Sequence, residues 1–163
     1  GYVPQDSFLF SDTIKHNIRF GKKDAKLEEV ENAARQAAVH DNIIGLSNGY
    51  DTILGERGIT LSGGQKQRVS IARAFIKDPV ILLLDDSLSA VDTETEETIL
   101  NNLKNVSTNK TTLLVSHRVS TAKNADRIFV LENGEIIQEG THLELIEKDG
   151  YYKSLYAKQL LEK

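Results

Sequence analysis

The chain has 163 residues, 39% of them hydrophobic and 27% charged, a balance that suits one globular domain with a real core. A formal net charge of −4 argues against a nucleic-acid-binding surface, and no apolar run approaches the roughly 18–20 residues that cross a bilayer. Absence of cysteine excludes disulfide and thiol chemistry and fits a cytoplasmic setting, while absence of methionine and of any basic, apolar leader before Gly1-Tyr2-Val3-Pro4-Gln5 makes the chain read as an excised piece of a longer protein.

Residues 1–10 read as a short strand ending at Pro4, followed by a loop. A short helix is expected from Ser11 to about Arg19, with Ser11 or Asp12 as N-cap. Residues 26–40 place Leu27, Val30, Ala33, Ala34, Ala37 and Ala38 at the spacing of an amphipathic helix. A second short helix near 41–47 ends at Asn48-Gly49, and Gly55 and Gly58 make 50–60 a loop. A helix then runs from about Gly63 to Lys77, striped by Val69, Ala72, Phe75 and Ile76 and stopped by Asp78-Pro79. Val80 to Leu84 is an unbroken apolar strand, which predicts burial on both faces, as in a parallel sheet.

Thr93 to Lys104 reads as a helix with Glu94, Glu96 and Glu97 in its first turn, where negative charge suits the helix dipole. Thr111 to Val115 is a second strand, followed by a short helix near 120–124 and a third strand over Ile128–Leu131. Asn133-Gly134 turns the chain into Glu135–Glu139 as a hairpin, and two helices near 142–148 and 150–162 follow. Strands alternating with helices give an α/β fold with a parallel sheet, and the nearly all-helical stretch 11–77 forms an inserted subdomain. The expected organisation is 1–10, a strand and loop; 11–77, the helical subdomain; and 78–163, the rest of the α/β core.

The richest chemistry lies in Leu61-Ser62-Gly63-Gly64-Gln65. A serine and two glycines opening a helix leave backbone N–H groups and a positive dipole end available to a phosphate. Yet no G-x-x-x-x-G-K-[ST] phosphate loop occurs in the sequence, so the nucleotide would be supplied by another segment or chain. Strand 80–84 runs into Asp85-Asp86, at the strand edge where α/β proteins bind ligands, and carboxylates there hold Mg²⁺ in nucleotide hydrolases. The next strand ends in Ser116-His117-Arg118, which could reach the same ligand. His16, His40 and His142 are read as structural, and Arg68 and Arg73 as partners of acids on the helical surface or under the sheet.

Taken together, these residues resemble the nucleotide-binding domain of ATP-binding cassette (ABC) transporters from Tyr2 to about Lys163. Val3-Pro4-Gln5 is similar to the Q-loop, Leu61–Gln65 to the signature motif, Ile81–Asp86 to Walker B, Ser89-Ala90-Val91-Asp92 to the D-loop, and His117 to the switch histidine. Asp6–Ile14 and Thr52–Gly58 resemble the exporter segments that face the coupling helices of the membrane domain. The resemblance implies a P-loop NTPase (RecA-like) fold whose Walker A part lies upstream of Gly1. It also implies ATP and Mg²⁺ as cofactors and a head-to-tail dimer with a second nucleotide-binding domain, identical or different. Ser62, Gly63, Gly64 and Gln65 would bind the γ-phosphate held by the other subunit. Asp85 would hold Mg²⁺, Gln5 would sense Mg²⁺ or the attacking water, and His117 would contact the γ-phosphate. Ser89 and Asp92 would carry communication across the dimer. Membrane contacts are expected through residues 5–14 and 52–58, at the cytoplasmic face of the membrane.

Asp86 departs from the family, which has Glu there as general base. Aspartate is shorter by one C–C bond, about 1.5 Å, and a misplacement of about 1 Å can cost on the order of 100-fold. A degenerate site that binds ATP and hydrolyses it slowly is therefore expected. A soluble DNA-repair or chromosome-maintenance ATPase is the competing reading, but it needs a coiled-coil insert, and no sustained heptads appear between Gln5 and Leu61. A regulatory half that binds ATP to clamp a partner is compatible with one subunit of a heterodimer. Without Walker A the piece by itself is expected to be soluble but inactive, and to self-associate through uncovered apolar surface.

Overall fold

The computed structural model describes residues 1–55, 61–106 and 110–161. They group into two units, Gly1–Leu113 and Leu114–Lys163. In the first, β1 (Tyr2–Val3) pairs in parallel with β2 (Ile81–Asp85), Tyr2 opposite Leu83 and Val3 opposite Leu84. The Gly1 amino group donates to the Ile81 carbonyl at 2.7 Å, and Leu83 N–H donates to the Gly1 carbonyl at 2.8 Å. β3 (Thr111–Val115), which carries the chain toward the second unit, completes the sheet order β1-β2-β3.

Between β1 and β2 lie α1 (Ile14–Arg19), α2 (Leu27–Gln36), α3 (His40–Ile44), a 3₁₀ turn (Gly49–Asp51) and α4 (Gly63–Phe75), and α5 (Thr93–Val106) follows β2. α4 is the centre of this packing. It touches α1, α2 and β1; Val69, Ile71, Ala72 and Phe75 of α4 are buried, as are Ile14 and Ile18 of α1 and Val30 of α2.

Some element ends differ from the sequence reading. α1 is capped by Thr13, whose side chain accepts from His16 N–H, rather than by Ser11 or Asp12. The Asp12 carbonyl accepts from Leu54 N–H at 3.0 Å, and Ile14 N–H donates to the Thr52 carbonyl at 3.0 Å. Thr13 thus sits in an antiparallel bridge with Ile53, and the helix can begin only after it. α2 ends at Gln36 because Ala38 takes a left-handed backbone, φ 53°. β2 is not buried on both faces: Leu82 and Leu84 are buried, whereas Ile81 is 57% exposed. Successive side chains of a strand point to opposite faces, and only one face of β2 is closely packed among the described residues.

Among the described residues, the contacts of Arg68 and Arg73 are with backbone and amide oxygens rather than with the expected acids. Arg73 Nε donates to the Asn17 carbonyl at 2.8 Å, Nη1 to the Phe8 carbonyl at 3.0 Å, and Nη2 to Asn17 Oδ1 at 2.9 Å. The fully buried Asn17 in turn donates to the Phe10 and Thr13 carbonyls, both at 3.0 Å, and accepts from Phe10 N–H at 2.8 Å. Arg68 donates to the Gly64 carbonyl at 3.3 Å and also to the Ala38 carbonyl. Burial lowers the pKa of each guanidinium from its ordinary value. Both arginines lace irregular backbone onto α4, where apolar side chains could not satisfy the loop carbonyls.

The second unit contains α6 (Val119–Ala122), an antiparallel hairpin of β4 (Ile128–Glu132) and β5 (Glu135–Gly140), α7 (His142–Glu147) and α8 (Tyr151–Leu161). Its hairpin turn places Asn133 at φ 50° and Gly134 at φ 84°, the backbone that an Asn-Gly pair accommodates. Val119, Ile128, Val130, Leu145 and Tyr152 form its core, with Leu155 and Tyr156 packed against them. Tyr151, at the start of α8, is exposed. His16, His40 and His142 each have a local partner through Nδ1: Asp12 at 3.0 Å, the Tyr50 hydroxyl at 2.8 Å and the Tyr152 hydroxyl at 2.9 Å.

Replacing Arg73 by Lys, which keeps one charge but loses the forked geometry, is expected to destabilise the fold by about 1–3 kcal/mol in denaturant titration. Val80 and Ile81 are exposed, so light scattering of the isolated chain is expected to show self-association; a monodisperse monomer would count against this.

Candidate functional site

Parallel pairing sends the C-terminal ends of β1 and β2 to the same sheet edge, so Gln5 and the pair Asp85-Asp86 emerge side by side. Gln5 Nε2 donates to Asp86 Oδ2 at 3.4 Å, and the Tyr2 hydroxyl donates to Asp85 Oδ2 at 3.3 Å. Partial desolvation, and then the Asp85 carboxylate beside it, raise the pKa of the Tyr2 phenol. Asp86 has a left-handed backbone, φ 44°. Its carbonyl accepts from Ser89 N–H at 3.2 Å and from Ser89 Oγ at 2.8 Å, which closes the turn leading out of β2.

The second part of the site is the start of α4. Ser62 is the N-cap: its Oγ accepts from Gln65 N–H at 3.2 Å, while Gln65 Oε1 accepts from Ser62 N–H at 2.9 Å, a reciprocal capping box. Gln65 therefore has a structural task that the sequence reading did not assign. The Ser62 hydroxyl keeps its own proton to donate, and the Gly63 and Gly64 N–H groups meet no acceptor among the described residues. Three donors converging at a helix N-terminus suit an oxyanion such as phosphate.

Gly64 has a packing reason to be glycine. A Cβ there would lie 2.7 Å from the Ala90 carbonyl oxygen, whereas one at Gly63 would meet the Ala90 Cβ at an ordinary 3.6 Å. The start of α4 thus rests directly on the segment Ser89-Ala90. Gln67, only 6% exposed, clamps the two together: Nε2 donates to Ser89 Oγ at 3.2 Å, and Oε1 accepts from Ala90 N–H at 3.0 Å. Sequence reasoning passed over Gln67. The available signal is its place four residues before Ile71 on the buried stripe, since a polar side chain at a stripe position needs partners.

Asp92 Oδ1 accepts from Thr95 N–H at 2.9 Å at the start of α5, and that hydrogen bond lowers its pKa from the ordinary carboxylate value. Gln5, Ser62–Gln65, Asp85, Asp86, Ser89 and Asp92 all belong to the first unit. His117 belongs to the second, where its carbonyl accepts from Gln159 Nε2 at 2.9 Å and Gln159 Oε1 accepts from Val119 N–H at 2.8 Å. Of the expected membrane-facing segment 52–58, residues Glu56, Arg57 and Gly58 lie outside the described residues.

No group of three or more His, Cys, Asp or Glu side chains is arranged to hold a metal among the described residues. A Mg²⁺ ion at Asp85 would draw its remaining ligands from phosphate and water, as that ion prefers.

Comparison with known proteins bears on the family and the fold. A family model described as "ABC transporter" matches residues 1–89. An uncharacterized ABC transporter ATP-binding protein of Bacillus subtilis, YknU, is 55% identical over 156 residues, covering 96% of this chain and 27% of that protein. ATP-binding cassette sub-family B member 6 of Xenopus tropicalis is 52% identical over 159 residues, covering 98% of this chain and 19% of that protein. The solved structure of a bacterial Atm1-family ABC exporter with ATP bound superposes with a TM-score of 0.93 at 49% identity, covering 98% of this chain and 28% of that one. The chain therefore spans 19% to 28% of the length of these relatives.

Gly64→Ala is expected to destabilise the protein by about 1–3 kcal/mol through overpacking, while Gly63→Ala is tolerated. Ser62→Ala is expected to cost about 1 kcal/mol through the lost cap. Denaturant titration of the three variants side by side checks the order.

Proposed function

The chain belongs to the ABC transporter family, and on that premise we propose that it is part of the ATP-binding and ATP-hydrolysing motor domain of an exporter. The observation that carries this reading is the contact between Gln5 and Asp86 at the carboxyl edge of paired β1 and β2, with Asp85 adjacent. In this reading Asp85 holds Mg²⁺, largely through water, and Asp86 orients the water that attacks. When bound, the magnesium–ATP supplies the phosphoanhydride bond whose cleavage drives the cycle.

Gln5 contacts Asp86 from the first residues after β1, so a change at the carboxylate is felt at the start of segment 5–14. The family resemblance gives His117 the role of γ-phosphate contact. Ser62, Gly63 and Gly64, with Gln65 fixing the cap, offer three donors to the phosphate held by a second nucleotide-binding domain. Ser89 and Asp92, on the segment against which α4 rests, face the same partner. The partner is a second copy or a different chain; the signature acts in trans in either assembly.

Coupling to a membrane domain at the cytoplasmic face is supported by the pairing of 12–14 with 52–54, which makes one surface of the two expected contact segments. Phe8 and Ile53, on or next to these segments, are both exposed. Asp86 in place of glutamate makes the site completed by this chain's Walker B a slow one.

The test uses the assembled exporter that contains this chain. Asp86→Glu is expected to raise single-turnover ATP hydrolysis at this site by about tenfold or more, and Asp86→Asn to lower it while nucleotide binding persists. Unchanged turnover in Asp86→Glu would sink the degenerate-site reading. An assembly that neither binds nor hydrolyses ATP would sink the motor reading itself.

A further inference from the structure

Resting on that motor reading, we propose that Gln67 is a positioning residue that ties the phosphate-facing end of α4 to the backbone of Asp86 through Ser89. Three links make the connection. Gln67 Nε2 donates to Ser89 Oγ at 3.2 Å, which commits the serine's own proton elsewhere. Ser89 Oγ donates that proton to the Asp86 carbonyl at 2.8 Å. Gln67 Oε1 meanwhile accepts from Ala90 N–H at 3.0 Å, so both ends of one buried amide grip consecutive residues of the turn.

A buried glutamine must find partners wherever it lies, and satisfaction alone would not give it a role. What distinguishes this one is where its partners lead. Asp86 stands at φ 44°, a left-handed backbone conformation that is uncommon for a non-glycine residue and that its surroundings help to hold. The Ser89 bonds to its carbonyl are part of that hold, and Gln67 orients Ser89. At the other end, Gln67 lies one helical turn beyond Gly63 and Gly64, and the approach of Gly64 to Ala90 leaves no slack between helix and turn. A phosphate that draws the start of α4 toward itself therefore moves the turn with it. The site that α4 completes on a partner and the site that Asp86 serves in its own chain are joined by one hydrogen-bonded relay.

Gln67→Glu is the informative substitution. It is isosteric and keeps the acceptor for Ala90 N–H, but its carboxylate cannot donate to Ser89 and competes with the Asp86 carbonyl for the serine proton. In the assembled exporter, Gln67→Glu and Ser89→Ala are each expected to lower kcat about tenfold with the KM for ATP unchanged, and the double variant to be no worse than the poorer single. A second readout needs no turnover. Amide hydrogen exchange at Ala90 in the nucleotide-free protein is expected to stay near wild type in Gln67→Glu and to quicken about tenfold or more in Gln67→Leu.

Losses that multiply in the double variant would overturn the relay. So would a raised KM with unchanged kcat, or unchanged Ala90 exchange in Gln67→Leu. Should Gln67→Leu fail to fold, the cycle with Gln67→Glu still decides. A wild-type assembly without ATP binding would bring down the motor reading and the relay with it. An active wild type with multiplicative losses would bring down the relay alone.

Discussion

Parallel pairing of Tyr2 and Val3 with Leu83 and Leu84 is the constraint from which the site follows. It decides that Gln5 and Asp86 leave the sheet at one edge and in register. The Gln5–Asp86 hydrogen bond, at 3.4 Å, is too long to impose that arrangement. Two buried side chains do so instead: Val3 is 0% and Leu84 1% exposed, and full burial of such residues contributes about 1.5–3 kcal/mol each. The polar contact between the segments is thus a consequence of apolar burial behind it.

α4 solves a different problem. The segments it must hold, around Phe8, Asn17, Ala38 and Ala90, are irregular and present carbonyls and N–H groups rather than apolar faces. Its polar side chains meet them: Arg73 at Phe8 and Asn17, Arg68 at Ala38, Gln67 at Ser89 and Ala90. Burying a guanidinium is costly unless its donors are met, and Arg73 places three nitrogens on three acceptors. A helix read only for its stripe of Val69, Ala72, Phe75 and Ile76 would appear to be core. Its polar residues make it a strut between the phosphate-facing turn and the segment that follows Gln5.

This division explains which features can be read from the sequence. Elements with a strong period or an unambiguous stop are plain in it: the α4 stripe, the Asp78-Pro79 break, the Asn133-Gly134 turn, the apolar run into Asp85-Asp86. The Ser62-Gly63-Gly64 start is equally plain, because serine and glycine at a helix start carry a local meaning. What the letters do not carry are partners distant in sequence. Nothing near Arg73 announces that its acceptors lie 56 and 65 residues earlier, and the usual expectation of an acidic partner misleads. The bridge between Thr13 and Ile53 moves the α1 cap by the same kind of long-range pairing. Gln67 hides for the opposite reason: it stands inside a motif whose neighbours draw all the functional attention.

The backbone at Asp86 bears on why aspartate stands there. At φ 44° a side chain with a short polar arm is tolerated better than a longer one, and aspartate and asparagine visit this region most readily after glycine. The same short arm keeps the carboxylate against the sheet edge, within reach of Gln5. A glutamate would extend the carboxylate toward the substrate but give up some of that conformational ease. Reach and backbone comfort therefore oppose each other at this residue. The turn held by Ser89, and behind it by Gln67, sets the balance, because it fixes the peptide from which either side chain must extend. The shortened carboxylate and the buried relay are thus parts of one arrangement: the less reach the side chain has, the more its effect depends on where the turn places it.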